Sequence, residues 1–287
     1  MRLPIPGGAA AGGGIGGLII VIFLVLTQCM GVGGTGGLPL PDTGLDTARF
    51  SPEDSARYEN CRTGEDANTD VDCARVAVEN SLYDFWSETL PDQAGEEFRA
   101  EQGVATFSGA VDTECGGATS DVGPFYCPVD SVIYLDTTFF DDVLEQQLNG
   151  PSGAFVEPYV LAHEYGHHIQ NLLGTMGQVR TQQGPESDAV RLELQADCYA
   201  GMWAGSATST DDASGEALIS DLTDQDVQEA VAAAKAVGDD RIQQQTTGRV
   251  NPEGWTHGSA EQRVRWFTTG YEQGSLEACD TFSASSL

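Results

Sequence analysis

The sequence predicts an α+β domain, a small early β-sheet followed by a helical core, behind one N-terminal transmembrane helix. Three observations predict it. Residues 9–30 carry no charged side chain, short β-branched or aromatic runs occur between 104 and 136, and beyond 136 the apolar residues recur at helical spacing.

Within the uncharged stretch Leu18-Ile19-Ile20-Val21-Ile22-Phe23-Leu24-Val25-Leu26 is continuously apolar. A helix from Ala9 to Met30 rises roughly 33 Å, close to the hydrocarbon thickness of a bilayer. Its glycine-rich first half would also suit a cleaved signal peptide. Thr27-Gln28-Cys29-Met30, however, offers no small-x-small cleavage site, and Gln28 is a poor neighbour for lipid attachment at Cys29. Residues 1–30 are therefore expected to be an uncleaved anchor. Arg2 is the one basic residue ahead of it, and none follows until Arg49, which places the domain on the extracytoplasmic side of the cell membrane. Residues 31–50, rich in Gly, Pro and Thr, read as a flexible tether, leaving 51–287 as one folded domain.

Val71, Ala74, Val78, Leu82, Phe85 and Trp86 share a helical face, predicting a helix over 69–89. Val104-Ala105-Thr106-Phe107 and Ser131-Val132-Ile133-Tyr134-Leu135-Asp136 read as strands bounded by Gly, Pro and Asp. Helices follow at about 138–148, 157–173, 186–204, 224–237 and 259–270, each entered near a capping residue or proline.

The chain has 44 acidic and 13 basic residues, a formal net charge of −31, so a nucleic-acid partner would be repelled. Of seven cysteines, Cys29 lies in the anchor and six lie beyond it. Six allow fifteen pairings; proximity in sequence favours Cys61 with Cys73 and Cys115 with Cys127, leaving Cys198 for Cys279, in an oxidising compartment.

The chemistry concentrates in His163-Glu164-Tyr165-Gly166-His167, inside a helical run entered at Pro158. Histidines at i and i+4 lie on one helix face, so both imidazoles can reach one zinc ion. Glu164 lies about 100° round from His163, outside the ligand set but placed to take the proton of an attacking water and return it to the leaving amine. Three of the chain's four histidines crowd into this helix; His168 points away and reads as a structural hydrogen-bonding group, and Tyr165 as packing. A catalytic zinc keeps three protein ligands and an open position. Glu193 is the candidate third ligand, with Asp197 one turn on to accept the free N–H of a ligating histidine.

These runs, with Gly123-Pro124-Phe125-Tyr126-Cys127-Pro128, Val132 to Asp136 and Thr256-His257-Gly258-Ser259-Ala260-Glu261-Gln262-Arg263, resemble the putative neutral zinc metallopeptidase family of bacterial membrane-anchored proteins. That family is similar in turn to the gluzincins, whose Glu-x-x-x-Asp helix supplies the third ligand and its supporting acid. The resemblance implies one catalytic zinc on His163, His167 and Glu193, and a peptide or protein substrate. It also implies a distant histidine or arginine that steadies the oxyanion, for which His257 and Arg263 are the candidates. The plainer alternative has His257 capping a helix and Arg263 pairing with an acid. Gluzincins bind substrate along an edge strand, and Val132 to Leu135 is the best-placed strand in sequence. The same residues could serve a zinc amidase acting on cell-wall peptides, or an anchored zinc-containing binding or chaperone-like module without turnover; the intact Glu164 speaks against the last. Nothing in the sequence specifies an oligomeric state.

Overall fold

Asp70 starts the first long helix by accepting hydrogen bonds from the backbone N–H groups of Asp72 and Cys73. In the computed structural model, which describes residues 44–120, 122–211, 215 and 217–287, two short helices precede it, α1 (Ser55–Tyr58) and α2 (Gly64–Thr69). The long helix α3 (Val71–Ala94) outruns the expected end at 89: it passes Pro91 and stops where Gly95 turns left-handed at φ 69°. Its buried face holds Val78, Leu82, Phe85 and Trp86, whereas Val71, expected on that face, is exposed. The Cys61–Cys73 disulfide ties its first turn to the preceding loop.

The tether expected over 31–50 ends earlier than its sequence suggests. The Leu45 N–H donates to the Arg62 carbonyl at 3.1 Å, the Asp46 N–H to Asn80 Oδ1 at 2.7 Å, and Phe50 is buried beside Val104. Residues 1–43, which include the expected anchor, lie outside the described residues. Among the described residues no helix is long and apolar enough to cross a membrane.

The sheet has three strands in the order β1 (Gly103–Phe107), β5 (Val132–Asp136), β4 (Phe125–Cys127). β5 runs parallel to β1 and antiparallel to β4. This corrects the expectation that Val132 to Leu135 is an edge strand: β5 is central, and the free edge belongs to β4. A separate hairpin, β2 (Ala110–Thr113) with β3 (Gly116–Thr119), is clipped to β4 by the Cys115–Cys127 disulfide. The hairpin was not foreseen because its strands are short, glycine-rich and mostly exposed, without an apolar alternation to mark them.

After β5 the expected α-helix over 138–148 is a wider π-turn at Phe139–Glu145, with Gln146 donating back five residues to Asp141. Phe139 lies against Gly123, where an added Cβ would come within 3.0 Å of the ring. Then follow α4 (Val156–Leu172), α5 (Asp188–Ser206), α6 (Asp224–Ala236), α7 (Asp239–Thr247) and α8 (Ala260–Gln273). Of these α7 was missed: it is polar nearly all round, with Ile242 its one large apolar residue. α5 and α8 touch backbone to backbone. A Cβ on Gly270 would lie 1.8 Å from the Cys198 carbonyl oxygen, and one on Gly201 would lie 2.0 Å from that of Phe267. The Cys198–Cys279 disulfide fastens the C-terminal segment onto α5, as the cysteine spacing led us to expect.

Candidate metal centre

α4 is buried without interruption from Pro158 to Gln170, wedged between the sheet and α5. Polar groups buried there are costly without partners, and those of the histidines have them, whereas the Tyr165 hydroxyl on the same helix has none among the described residues. His163 and His167 stand one turn apart with ring centroids 4.8 Å from each other. Glu193 reaches across from α5, its Oε2 3.2 Å from His163 Nε2 and its Oε1 3.5 Å from His167 Nε2. Zinc bonds of 2.0–2.2 Å at tetrahedral angles place neighbouring ligand atoms about 3.3 Å apart. The two contacts to Glu193 are close to that spacing, and the ligand atoms of all three residues fall within 4.8 Å of one another.

The far side of each ring is fixed as well. His163 Nδ1 donates to Asp197 Oδ1 at 2.9 Å, and His167 Nδ1 donates to Gln170 Oε1 at 2.8 Å. Each Nδ1 is thus held to an acceptor, which leaves Nε2 as the atom of each ring able to ligate a metal beside Glu193. Burial would lower the pKa of His163, but Asp197 and Glu193 outweigh it and lift it to about 10. Burial would raise Glu193, yet His167 and His257 hold it well below the usual carboxylate range. This pocket calls for positive charge between its ligands, which is what a divalent cation supplies.

Glu164, 7 % exposed, lies beside this set and not in it. Burial pushes its carboxyl up, while His163, His167 and the Tyr126 backbone N–H pull it back. Asp197 is fully buried and receives four donors: Tyr159 Oη at 2.6 Å, His163, and Arg263 through Nε at 2.8 Å and Nη2 at 2.9 Å. Burial opposes its ionisation, but Arg263 and His163 bring it to about 2.

The two oxyanion candidates part company here. Arg263 is buried, with Nε and Nη2 on Asp197 and Nη1 on the Val237 carbonyl, so its donors are committed behind His163. It pairs with an acid while bordering the cleft. His257 has a half-exposed side chain at the rim of the cleft, its loop clasped by Asp239. His168 is structural, as expected, joined to Tyr126 Oη and the Arg99 carbonyl. Tyr165 is buried in the core. Two participants escaped the sequence reading, Tyr159 and Gln170. They stand four residues before His163 and three after His167, spacings that put each beside its histidine.

The cleft over the histidines measures about 610 Å³. Beyond the titratable groups its wall is largely apolar, including Phe139, Val143, Leu148, Val160, Val237 and Ile242.

Residues 4–282 match the family described as Putative neutral zinc metallopeptidase. The chain belongs to this family. It is 55% identical over 231 residues to Uncharacterized protein Rv2575 of Mycobacterium tuberculosis strain H37Rv, covering 79% of this chain and 76% of that one. It is 36% identical over 297 residues to Uncharacterized protein YpfJ of Escherichia coli K12, covering 97% of this chain and 93% of that one. No solved structure matches it. The family implies zinc, and His163, His167 and Glu193 could hold such an ion: two imidazoles and one carboxylate are a donor set that zinc accepts.

Proposed function

We propose that the protein hydrolyses peptide bonds with one zinc ion held by His163, His167 and Glu193, and that residues 1–30 anchor it in the cell membrane with this domain on the extracytoplasmic side. The observation that carries the catalytic reading is the convergence of both Nε2 atoms on one carboxylate, with a second, buried acid, Glu164, beside them in an open cleft. A site built only for structure would use four protein ligands and leave no such acid spare. Zinc bound there supplies Lewis-acid polarisation of the scissile carbonyl and acidifies water.

Glu164 takes the proton of the attacking water and later delivers it to the leaving amine, a step worth about 10²–10⁴-fold. His257 offers a hydrogen bond to the oxyanion at the mouth of the cleft. Asp197 and Arg263 hold His163 in place. The free edge of β4 lies beside Glu164, where an extended peptide can add as a further strand. The apolar wall selects side chains of that character next to the bond cleaved, and the chain's net charge of −31 disfavours acidic ones.

The test is zinc content by elemental analysis of the full-length protein in detergent, beside hydrolysis of an apolar peptide library. One zinc per chain in wild type and in Glu164→Gln, less in Glu193→Ala, and cleavage only by wild type is the expected result. Wild type without zinc would sink the reading. The anchor is checked by cell fractionation, in which the protein should sediment with the membranes, and its sidedness by protease treatment of intact cells, which should digest the domain.

A further inference from the structure

The two histidine ligands are held by different chemistry. His163 leans on a carboxylate that is itself paired with Arg263, whereas His167 leans on a neutral amide. Gln170 is completely buried, and its amide is used from both ends. Oε1 accepts from His167 Nδ1 at 2.8 Å; Nε2 donates to the Leu192 carbonyl at 2.7 Å and to Gln195 Oε1 at 3.1 Å. Leu192 directly precedes Glu193, so one side chain touches the second ligand on α4 and the backbone beside the third ligand on α5. Gln195 continues the line, donating through Nε2 to the Cys279 carbonyl at 3.1 Å, next to the Cys198–Cys279 disulfide.

We infer that Gln170 is a positioning residue: a strut that sets the spacing between His167 and Glu193, and thereby the affinity of the site for its metal. This rests on the zinc reading above. The amide is the group the geometry requires. Its carbonyl orients the imidazole so that Nε2 faces Glu193, and its NH₂ must donate at the same time, because both atoms opposite it are acceptors. A carboxylate of the same length could hold His167 but would set its oxygens against the Leu192 carbonyl and Gln195 Oε1. An apolar side chain would do neither. Outer partners of this kind are worth 10–100-fold in metal affinity.

The experiment titrates cobalt(II) and zinc into full-length apo protein, wild type, Gln170→Leu, Gln170→Glu and Gln195→Leu, following the cobalt visible bands, with circular dichroism and melting of each apo form. We expect about 10–100-fold weaker binding and altered cobalt bands in both Gln170 variants, and a smaller loss in the same direction in Gln195→Leu, which keeps the Leu192 contact. Wild-type affinity in Gln170→Glu would show that His167 needs only an acceptor, which overturns the strut. So would unchanged affinity in Gln170→Leu with a lowered apo melting point, the mark of a purely structural glutamine. Should neither Gln170 variant fold, unchanged affinity and bands in Gln195→Leu would overturn it as well. Failure of the wild type itself to bind cobalt or zinc would instead remove the zinc reading on which the strut depends.

Discussion

Arg263 and Asp197 meet as two parallel hydrogen bonds, Nε to Oδ2 at 2.8 Å and Nη2 to Oδ1 at 2.9 Å, in a place almost without solvent. Removing the arginine would strand a buried carboxylate, and breaking such pairs costs about 3–5 kcal/mol. Arg263→Met should therefore lower apo-protein stability by that order in urea denaturation. A variant of full stability but depressed hydrolysis would return Arg263 to the oxyanion role that its hydrogen bonds deny it.

His257 carries the opposite expectation. Its side chain is half-exposed and touches no ligand of the metal set, its nearest partners being Thr256 and Asp239. His257→Gln should keep one zinc per chain and the wild-type melting point while kcat falls about 10²–10³-fold, the usual cost of losing one oxyanion donor. Unchanged kcat would remove His257 from the oxyanion role.

Asp239 makes the loop of His257 sensitive to acid. Its Oδ2 accepts from the backbone N–H groups of Thr256, His257 and Gly258 at 2.8, 2.7 and 3.0 Å. Burial would raise its pKa, but the hydrogen bonds from His257 and the loop hold it below the ordinary value. A folded-state pKa below the unfolded one of about 3.9 gives stability that is present above that pH and lost as the pH falls through the folded value. Melting curves at pH 6 and pH 3 should show a larger drop for wild type than for Asp239→Asn; equal drops would refute the linkage.

How much of this the sequence disclosed follows from where each signal is local. The i, i+4 spacings of His163 with His167 and of Glu193 with Asp197 each need only a helix, and helices announce themselves by periodicity; that the two helices meet came from the family resemblance. The partner of Arg263 and the place of β5 in the sheet depend on contacts between distant segments, which one helix or strand cannot reveal. α7 and the β2–β3 hairpin were invisible because each is polar and held by its neighbours, not by its own apolar pattern. Gln170 had a local signal, three residues from His167, that went unread because glutamine rarely marks a metal site.

The apolar wall of the cleft makes specificity measurable. Ile242 and Val160 belong to it. Truncating Ile242 to Ala should reduce kcat/KM for peptides with leucine or phenylalanine beside the scissile bond by about 10-fold, since each lost methylene contact is worth about 1–3 kcal/mol at most. Peptides with alanine there should be cleaved at nearly the wild-type rate. A uniform loss across the series would mean that Ile242 shapes the fold of α7 and not the choice of substrate.

Gly166, between Tyr165 and His167, faces the backbone of α5 at Ala196. A Cβ there would sit 3.1 Å from both Cα and the carbonyl oxygen of Ala196, and 3.4 Å from its Cβ. Ala196 is three residues past Glu193, so any widening at this point draws the third ligand away from His163 and His167. Gly166→Ala should be tolerated with slightly weakened zinc binding, because the helices need give only a few tenths of an ångström. Gly166→Val adds two methyl groups that have nowhere to go, and overpacking of this kind costs about 1–3 kcal/mol. Zinc titration beside thermal melting should show affinity falling further than the stability loss alone requires. The double variant Gly166→Ala with Ala196→Gly distinguishes backbone from side-chain crowding: two of the three close contacts are to backbone atoms, so removing the Ala196 methyl should fail to restore affinity. Full restoration would place the constraint in that methyl and not in the approach of the two helices.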